Sequence, residues 1–239
     1  MKCFNAYENE DMTKITGETL RPGGFKLTEK GIQFCKISSK DYVLDLGCGQ
    51  GATVNYLFKK HNINAIGIDP SVKLIKIAKE KYGHKQFFIG DGNNIPFQNN
   101  SFNCVFAECT LSLMDNLECT LKQVYRVLKD EGWFIITDVY AQNPNEVNLL
   151  SQFSFNSCIR NLHNLEKLQE KLKILGFDII FSEDYSIFLK ELFVKIGFTY
   201  GTMGMFWNTT TQGCIDGYEF QKALKPCKPG YFMMVARKN

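Results

Sequence analysis

The sequence has few features that point to a membrane or to nucleic acid. Its 239 residues contain no apolar run close to the roughly 18 residues that a membrane-spanning helix needs. The polar, acidic stretch from Met1 to Lys14 lacks the apolar segment of a signal peptide. The formal net charge is only +3 and the basic clusters are short, whereas nucleic-acid binding favours Lys and Arg gathered on one face. These absences predict a cytoplasmic protein that binds neither a membrane nor nucleic acid.

Cysteine is plentiful, but its spacing does not indicate a metal site. The nine cysteines include no CxxC or CxxxC pair, so the sequence predicts no bound zinc. Without an export signal, the thiols are expected to stay reduced. Cys35 and Cys104 fall in an apolar helix face and an apolar strand, where each fits the role of a small core residue.

Short apolar runs alternate with amphipathic helices between Tyr42 and Ala141, which is typical of a parallel sheet covered on both faces. The helix that contains Leu117 is expected to end before Gly132. A further helix is expected over Leu165–Leu175, and the last strand should be antiparallel beside the sixth or fifth. The sequence thus predicts an α/β fold with a doubly wound, seven-stranded, mostly parallel sheet. The strands are predicted at Tyr42–Leu46, Ala65–Ile68, Gln86–Ile89, Asn103–Ala107, Trp133–Val139, Asp178–Phe181 and Tyr231–Ala236.

One domain is expected over 1–239, with a ligand-binding core at 41–141. Residues 1–40 are expected to form an N-terminal cap. The segments 142–164 and 183–228 leave carboxyl ends of strands, which is the side on which open α/β sheets bind their ligands. We therefore expect both inserts to form a lid over the crevice, with a helix near Ile187–Phe198. Alternatively, the longer insert packs at the edge of the sheet, far from the site.

The stretch VLDLGCGQGATV, from Val43 to Val54, places three glycines within five residues after an apolar run. A phosphate-binding NTPase loop would end in GK[ST], and the residues after Gly51 are Ala and Thr, so this interpretation fails. A dinucleotide-binding fold is harder to dismiss, because Gly47–Ala52 satisfies the pattern GxGxx[GA]. Asp45 argues against a dinucleotide, because a carboxylate beside a pyrophosphate is destabilising. It suits a ligand that carries an ammonium group.

Acidic residues at the ends of three successive strands together indicate one ligand. The amides of the turn, at a helix N-terminus, suit a carboxylate, which together with an ammonium group at Asp45 makes an amino acid. Asp69 lies where an acid binds two ribose hydroxyls, and Asp91 is placed to accept from an adenine amino group. An amino acid, a ribose and an adenine in this order make S-adenosylmethionine (SAM). Taken singly, Asp69 also fits a helix-capping turn and Asp91 a turn with Gly92.

Four segments resemble the ordered motifs of class I SAM-dependent methyltransferases: VLDLGCGQG, GIDPS, GDGNNIPFQNNSFNCVFAE and VLKDEGWFIITD. The likeness is closest to the small-molecule branch that includes ubiquinone and menaquinone methyltransferases (methyltransferase type 11). It covers roughly Leu20 to Asp138, with Asn103 where the branch often has Asp, and it leaves the acceptor open. It implies a small-molecule methyl acceptor, with SAM as cofactor and S-adenosylhomocysteine (SAH) as product. The residues expected to bind the cofactor are Asp45, Gly47, Cys48, Gly49, Gly51, Asp69, Pro70, Asp91, Gly92, Asn93, Glu108 and Cys109.

Methyl transfer from a sulfonium is an in-line displacement, for which alignment of the reacting atoms supplies about 7–11 kcal/mol. An alcohol or phenol acceptor usually needs a base as well, whereas a thiol, thiolate or carbanion does not. Glu108, Asp138, His163 and Asp184 are candidate bases, and each also fits a structural role.

Two segments offer further contacts. The segment LRPGG, Leu20 to Gly24, is expected to fold over the cofactor with Arg21 near its carboxylate, or alternatively to form a tight turn before the first helix. The run from Phe198 to Trp207 is expected to form an apolar wall for a flat acceptor or, alternatively, core packing beneath a lid.

Three other functions stay open from the sequence. Arsenite is an alternative acceptor, because thiolates bind soft ligands and four cysteines fall near the crevice. An NAD(P)-dependent oxidoreductase and a non-catalytic SAM-binding protein are the other two. The four cysteines are Cys109, Cys158, Cys214 and Cys227.

Overall fold

A seven-stranded sheet with the order β3-β2-β1-β4-β5-β7-β6 forms the centre of the computed structural model, which describes residues 6–8, 10–83 and 86–239. Strands β1 to β5 pair in parallel, and β7 lies antiparallel between β5 and β6. The predicted doubly wound, mostly parallel sheet is confirmed. The strands are β1 (Tyr42–Leu46), β2 (Asn64–Asp69), β3 (Phe87–Ile89), β4 (Phe102–Glu108), β5 (Leu128–Ala141), β6 (Phe177–Asp184) and β7 (Pro229–Lys238).

Helices cover both faces of the sheet, and short polar side chains define where several of them begin. Ser71 precedes α4 and its hydroxyl accepts from the amide of Leu74 at 3.1 Å. Gly83 ends the same helix in a left-handed conformation, as glycine does readily. The helices are α1 (Glu10–Thr16), α2 (Lys26–Cys35), α3 (Ala52–His61), α4 (Val72–Tyr82), α5 (Leu117–Val127), α6 (Leu165–Ile174), α7 (Ser186–Tyr200), α8 (Met203–Thr210) and α9 (Gly217–Cys227).

The alternation of side chains along β1 decides which face carries the polar site. Leu44 and Leu46 belong to the apolar cluster that includes side chains of α5 and α6. Val43 belongs to the cluster on the other face, with side chains of α2 and α3. Successive strand residues point to opposite faces, so Asp45 shares the face of Val43.

The boundary between α5 and β5 differs from the predicted one. The helix ends at Val127 and the strand begins at Leu128, five residues before the predicted start at Trp133. Gly132 therefore lies within β5 and does not end the helix. A Cβ at Gly132 would lie 2.7 Å from the carbonyl oxygen of Lys129, so glycine permits a tight backbone approach at the start of this strand.

The two inserts leave β5 and β6 at their carboxyl ends. Residues 142–164 contain the short 3₁₀ helices Pro144–Leu150 and Cys158–Arg160, and the second insert contains α7, α8 and α9. The predicted helix over Ile187–Phe198 corresponds to α7. Within the described part of the chain, no helix combines the length and apolar character needed to cross a membrane.

Candidate functional site

A cleft of about 930 Å³, including its open mouth, lies at the carboxyl ends of β1, β2 and β4. Asp45 lies near the end of β1, and Asp69 and Glu108 are the last residues of β2 and β4. Parallel strands bring these ends to one edge of the sheet. The residues predicted to bind the cofactor all line this cleft, with the exception of Gly51 and Asn93.

The glycine turn between β1 and α3 is closely packed. Gly47 has φ +74° and Gly51 has φ +80°, which is the left-handed region that glycine adopts without strain. A Cβ at Gly47 would collide with the hydroxyl of Thr110, and a Cβ at Gly51 would lie 2.5 Å from the ring of Phe87. Gly51 therefore allows the turn to pack on β3, outside the cleft lining.

Most amides of the turn are already bonded within the protein. The amides of Gly47 and Cys48 donate to the carbonyl of Ile68, at 2.8 and 3.0 Å. The amide of Gly49 donates to the Asp69 carboxylate at 2.9 Å. These three amides are therefore already engaged, although the sequence predicts that the turn binds a ligand carboxylate. The first turn of α3, which also borders the cleft, supplies amides that lack a partner within their helix.

Asp45 is buried, with 3% of its surface exposed, and lines the cleft. Its carboxylate makes no hydrogen bond to any residue that the structure describes. Burial raises the pKa of Asp45 well above its ordinary value, and the nearby charge of Glu108 raises it further. The carboxylate borders the cleft without a described protein partner, so this position favours a ligand that brings a cationic hydrogen-bond donor.

Asp69 connects the glycine turn to α4. One carboxylate oxygen accepts from the amide of Gly49 at 2.9 Å and the other from the amide of Ser71 at 2.8 Å. Burial raises the pKa of Asp69, and these two amide bonds oppose the shift. The turn interpretation and the ligand interpretation are compatible here, because the carboxylate fixes the turn and still borders the cleft.

Asp91 lies at the exposed rim of the cleft. Its carboxylate accepts from the amides of Asn93 and Asn94, at 2.8 and 3.1 Å, so it also stabilises a turn. Gly92 borders the cleft, and a Cβ there would lie 2.7 Å from the side chain of Thr120. Asn93 is not brought into the cleft.

Glu108 belongs to a buried network that joins β4 to the N-terminal segment. Its carboxylate is 2.9 Å from the guanidinium of Arg21. It also accepts from the hydroxyls of Thr28 and Thr53, at 2.7 and 2.9 Å. The Arg21 guanidinium donates to the same two hydroxyls, at 2.7 and 3.0 Å. Both charged groups thus have partners within the protein, and both still border the cleft.

The other candidate bases do not line the cleft. Asp138 is fully buried and accepts from the amide and the hydroxyl of Ser112, at 2.9 and 2.8 Å. His163 lies 3.3 Å from the same carboxylate. Asp184 accepts from the hydroxyls of Tyr140 and Ser186, at 2.5 and 2.6 Å. These carboxylates position loops that follow the strands.

The crevice cysteines only partly converge. Cys109 has φ +54°, an uncommon conformation for a non-glycine residue that recurs at functional sites. Its hydrogen bond with Cys158, together with burial, raises the pKa of the Cys109 thiol well above its ordinary value. Cys214 is exposed, and Cys227 donates to the carbonyl of Glu146 at 3.4 Å. Within the described ranges, no group of three or more His, Cys, Asp and Glu could hold a metal ion.

Several residues of the cleft were not predicted from the sequence. Leu113 and Met114 follow β4 at its carboxyl end, so their position after a strand was an available signal. Tyr7 and Asn156 come from segments without periodicity, and only the folded chain brings them to the site. The residues missed are Tyr7, Glu18, Thr19, Leu46, Gln50, Ala52, Thr53, Leu74, Gly90, Thr110, Leu113, Met114 and Asn156.

The cleft carries an excess of negative charge. Among its lining residues in the described part of the chain, five are carboxylates and one is a guanidinium. Such a concave surface attracts a ligand with net positive charge. SAM carries an ammonium and a sulfonium against a single carboxylate, so the sign fits. The charged residues are Glu18, Arg21, Asp45, Asp69, Asp91 and Glu108.

A family model described as a methyltransferase domain matches residues 37–174, more than half of the chain. An uncharacterized protein of Methanocaldococcus jannaschii is 28% identical over 223 residues, which is 89% of this chain and 82% of that protein. Sterol 24-C-methyltransferase of Saccharomyces cerevisiae is 28% identical over 162 residues, 62% of this chain and 42% of the yeast enzyme.

A solved structure shows the same fold. It is phosphoethanolamine N-methyltransferase 2 of Haemonchus contortus in complex with S-adenosyl-L-methionine, with a TM-score of 0.74 and 20% identity. The match covers 98% of this chain and 56% of the nematode chain. The chain thus spans less than half of the yeast enzyme and little more than half of the nematode chain.

Proposed function

Because the chain belongs to the methyltransferase domain family, as a class I SAM-dependent methyltransferase, we propose that its carboxyl-edge cleft binds SAM for methyl transfer to a small molecule. Asp45 binds the ammonium group, and the first turn of α3 binds the carboxylate. Asp69 accepts from the ribose hydroxyls. Asp91 and Gly92 lie at the adenine, and the apolar side chains that border this part of the cleft, Pro70, Leu74, Leu113 and Met114, contact the ring.

The observation that carries this proposal is the Asp45 carboxylate, which is buried and has no hydrogen-bond partner among the described residues. An ammonium group supplies the missing charge and donors. A pyrophosphate would add negative charge to a cleft that is already acidic, which disfavours NAD(P) as the ligand.

The reaction is a displacement at the methyl carbon. A lone pair of the acceptor forms the new bond to carbon while the sulfur–methyl bond breaks and its electron pair stays on sulfur, which gives SAH. A proton on the acceptor atom passes to water. The chain's contribution is to hold the donor and acceptor in line, since Glu108 is engaged with Arg21.

We also propose that 1–239 form one methyltransferase domain, with a SAM-binding core at 41–141 and an acceptor lid formed by 142–164 and 183–228. Asn156, from the first insert, borders the cleft, and residues of α7 and α8 border the cavity next to it. The cleft is open, which argues against a binding protein whose crevice is plugged by its inserts.

Arsenite is not favoured as the acceptor. The structure brings Cys109 and Cys158 together, but their hydrogen bond and the burial of Cys109 raise the pKa of its thiol, which disfavours the thiolate form. Soft ligands bind thiolates. Cys214 and Cys227 do not join the pair.

The proposal is tested by isothermal titration calorimetry on the Asp45→Asn variant. We expect SAM and SAH to bind the wild type and to bind the variant about 10–100-fold more weakly, because a charge-assisted hydrogen bond contributes about 1.5–3 kcal/mol. Since burial raises the pKa of Asp45, acidification protonates the wild-type carboxyl and lowers the SAM affinity. The variant should lose this part of the pH dependence.

Asp178→Asn is the matched control, because Asp178 is an exposed residue of β6 and does not border the cleft. It should bind SAH as the wild type does. Equal SAH affinity in Asp45→Asn and the wild type, or NAD binding as tight as SAH binding, would contradict the proposed site.

A further inference from the structure

A second cavity, of about 480 Å³ including its open mouth, adjoins the cofactor cleft. Tyr7, Leu20 and Cys109 border both spaces, so the two spaces adjoin at these side chains. The walls of the second cavity come from the N-terminal segment, from residues 157–159 and from α7 and α8. Both predicted inserts therefore contribute to it. We call this space the apolar cavity.

The lining of the apolar cavity contrasts with that of the cleft. Its described lining residues include no Asp, Glu, Lys, Arg or His. The weakly acidic side chains among them are those of Tyr and Cys. Helix α7 contributes Leu189, Leu192, Phe193 and Ile196, and α8 contributes an aromatic pair. Placing a charged group there would remove it from water without a partner, which costs far more than placing an apolar one.

The aromatic pair on α8 is held rigidly by its neighbours. The rings of Phe206 and Trp207 lie 4.8 Å apart, and Trp207 packs edge-on against Phe220 at 5.2 Å. The Trp207 indole donates to Gln221 at 3.1 Å. Within the run from Phe198 to Trp207, Phe206 and Trp207 are buried and border the apolar cavity, which is compatible with both predicted alternatives. Phe198 is 88% exposed and fits neither of them.

In the proposed function the first turn of α3 binds the SAM carboxylate, so a phosphate group on the acceptor would need a cationic side chain. Arg21 is the one guanidinium or ammonium group among the described residues that line them. It is held at 2.9 Å from Glu108. The remaining charges of the cleft are carboxylates, which repel a phosphate.

We propose, on the basis of the proposed function, that the methyl acceptor is an uncharged or weakly polar molecule with an apolar body and without a phosphate group. The apolar cavity binds this body, and the junction at Tyr7 and Cys109 places the acceptor atom toward the SAM methyl group.

Trp207 provides a reporter for this site. The chain has two tryptophans, so Trp133→Phe leaves Trp207 as the sole indole. In this background and with SAH present, we expect 1-decanol to shift the emission saturably, and O-phosphoethanolamine to leave it unchanged at millimolar concentration. Leu192→Asp, which places a charge in the apolar cavity, should weaken decanol binding at least about tenfold.

Val194→Asp is the matched control, because Val194 lies on the same helix but is 58% exposed and does not line the apolar cavity. It should bind decanol like the parent. Leu192→Phe, a variant that keeps the core apolar, should favour 1-octanol over 1-decanol by reducing the space. Equal effects of Leu192→Asp and Val194→Asp, or no saturable decanol signal, would overturn this inference.

A second readout uses labelled SAM and the metabolites of a cell extract. We expect the transferred methyl label to partition into an organic solvent, and label confined to water-soluble, phosphorylated products would overturn the inference. SAH binding by calorimetry, measured on the same samples, separates the two proposals. Loss of SAH binding contradicts the proposed function, whereas SAH binding without decanol binding contradicts only the apolar acceptor.

Discussion

Gly47 combines two constraints that are usually separate, a left-handed backbone and the absence of space for a side chain. Its φ is +74°, and a Cβ would collide with the Thr110 hydroxyl, which follows β4. The turn and the fourth strand are thus held together at the floor of the cleft. Glycine is the residue type that fits both constraints, so a ligand at this position lies directly against the backbone.

Replacement of Gly47 by Ala tests this constraint against a matched position. Gly213 has φ +72°, and no atom lies within 4 Å of the position that a Cβ would take there, so Gly213→Ala should cost only the left-handed penalty of about 1 kcal/mol. Gly47→Ala adds the collision and should cost about 3 kcal/mol or more, with loss of SAH binding. Urea unfolding and calorimetry measure both. Equal destabilisation of the two variants would contradict the close packing of the turn.

The acids at the strand ends were predictable because a strand followed by a turn fixes where its last residue lies. Asp45, Asp69 and Glu108 all line the cleft for this reason. Asn93 was predicted from its place in the GDGNN segment, but the turn that Asp91 stabilises directs it away from the cleft. Tyr7 gives no such signal, since it lies in a short 3₁₀ turn before the first helix.

The N-terminal segment, α2 and α3 meet the sheet through the network around Glu108. Arg21 comes from the segment before α2, Thr28 from α2 and Thr53 from α3, and all three bond to the same carboxylate. The network thereby positions the cap and the first turn of α3 at the cleft. Removing one charged group leaves the other buried without its partner.

A double-mutant cycle on Arg21→Met and Glu108→Gln measures how strongly these elements are coupled. Each single variant should lose about 3–5 kcal/mol of unfolding free energy, because one buried charge loses its partner. The double variant should lose about 2 kcal/mol less than the sum of both. The exposed pair Lys122 and Glu118 is the control and should show much weaker coupling. Additive losses at Arg21 and Glu108 would contradict the network.

The order and type of the elements followed from the sequence wherever hydrophobic periodicity was strong. The boundary at Gly132 did not, because α5 passes into β5 without an intervening loop, so the glycine is part of the strand. Helix α7 is apolar on several sides, with Leu189 and Ile196 buried and Val194 exposed. Its periodicity therefore identifies a helix but not the face that borders the apolar cavity.

On the scale of the whole molecule, one edge of the sheet carries two adjoining spaces of opposite character. The acidic cleft lies over the ends of β1, β2 and β4, and the apolar cavity lies beside it, under α7 and α8. In our two proposals, the charged donor and the apolar acceptor approach from different sides and meet at Cys109. This separation follows from topology, because the core strands supply the acids and the inserts supply the apolar walls.

Hydrogen–deuterium exchange of the full chain with and without SAH tests most directly where the cofactor binds. We predict slower amide exchange, by about tenfold or more, in the first turn of α3 and its preceding glycine turn, after β2 at 69–71 and after β3 at 91–93. Helix α6 (Leu165–Ile174), which packs on the opposite face, should exchange as before. Unchanged exchange at the carboxyl edge, or protection centred on α6, would contradict the account.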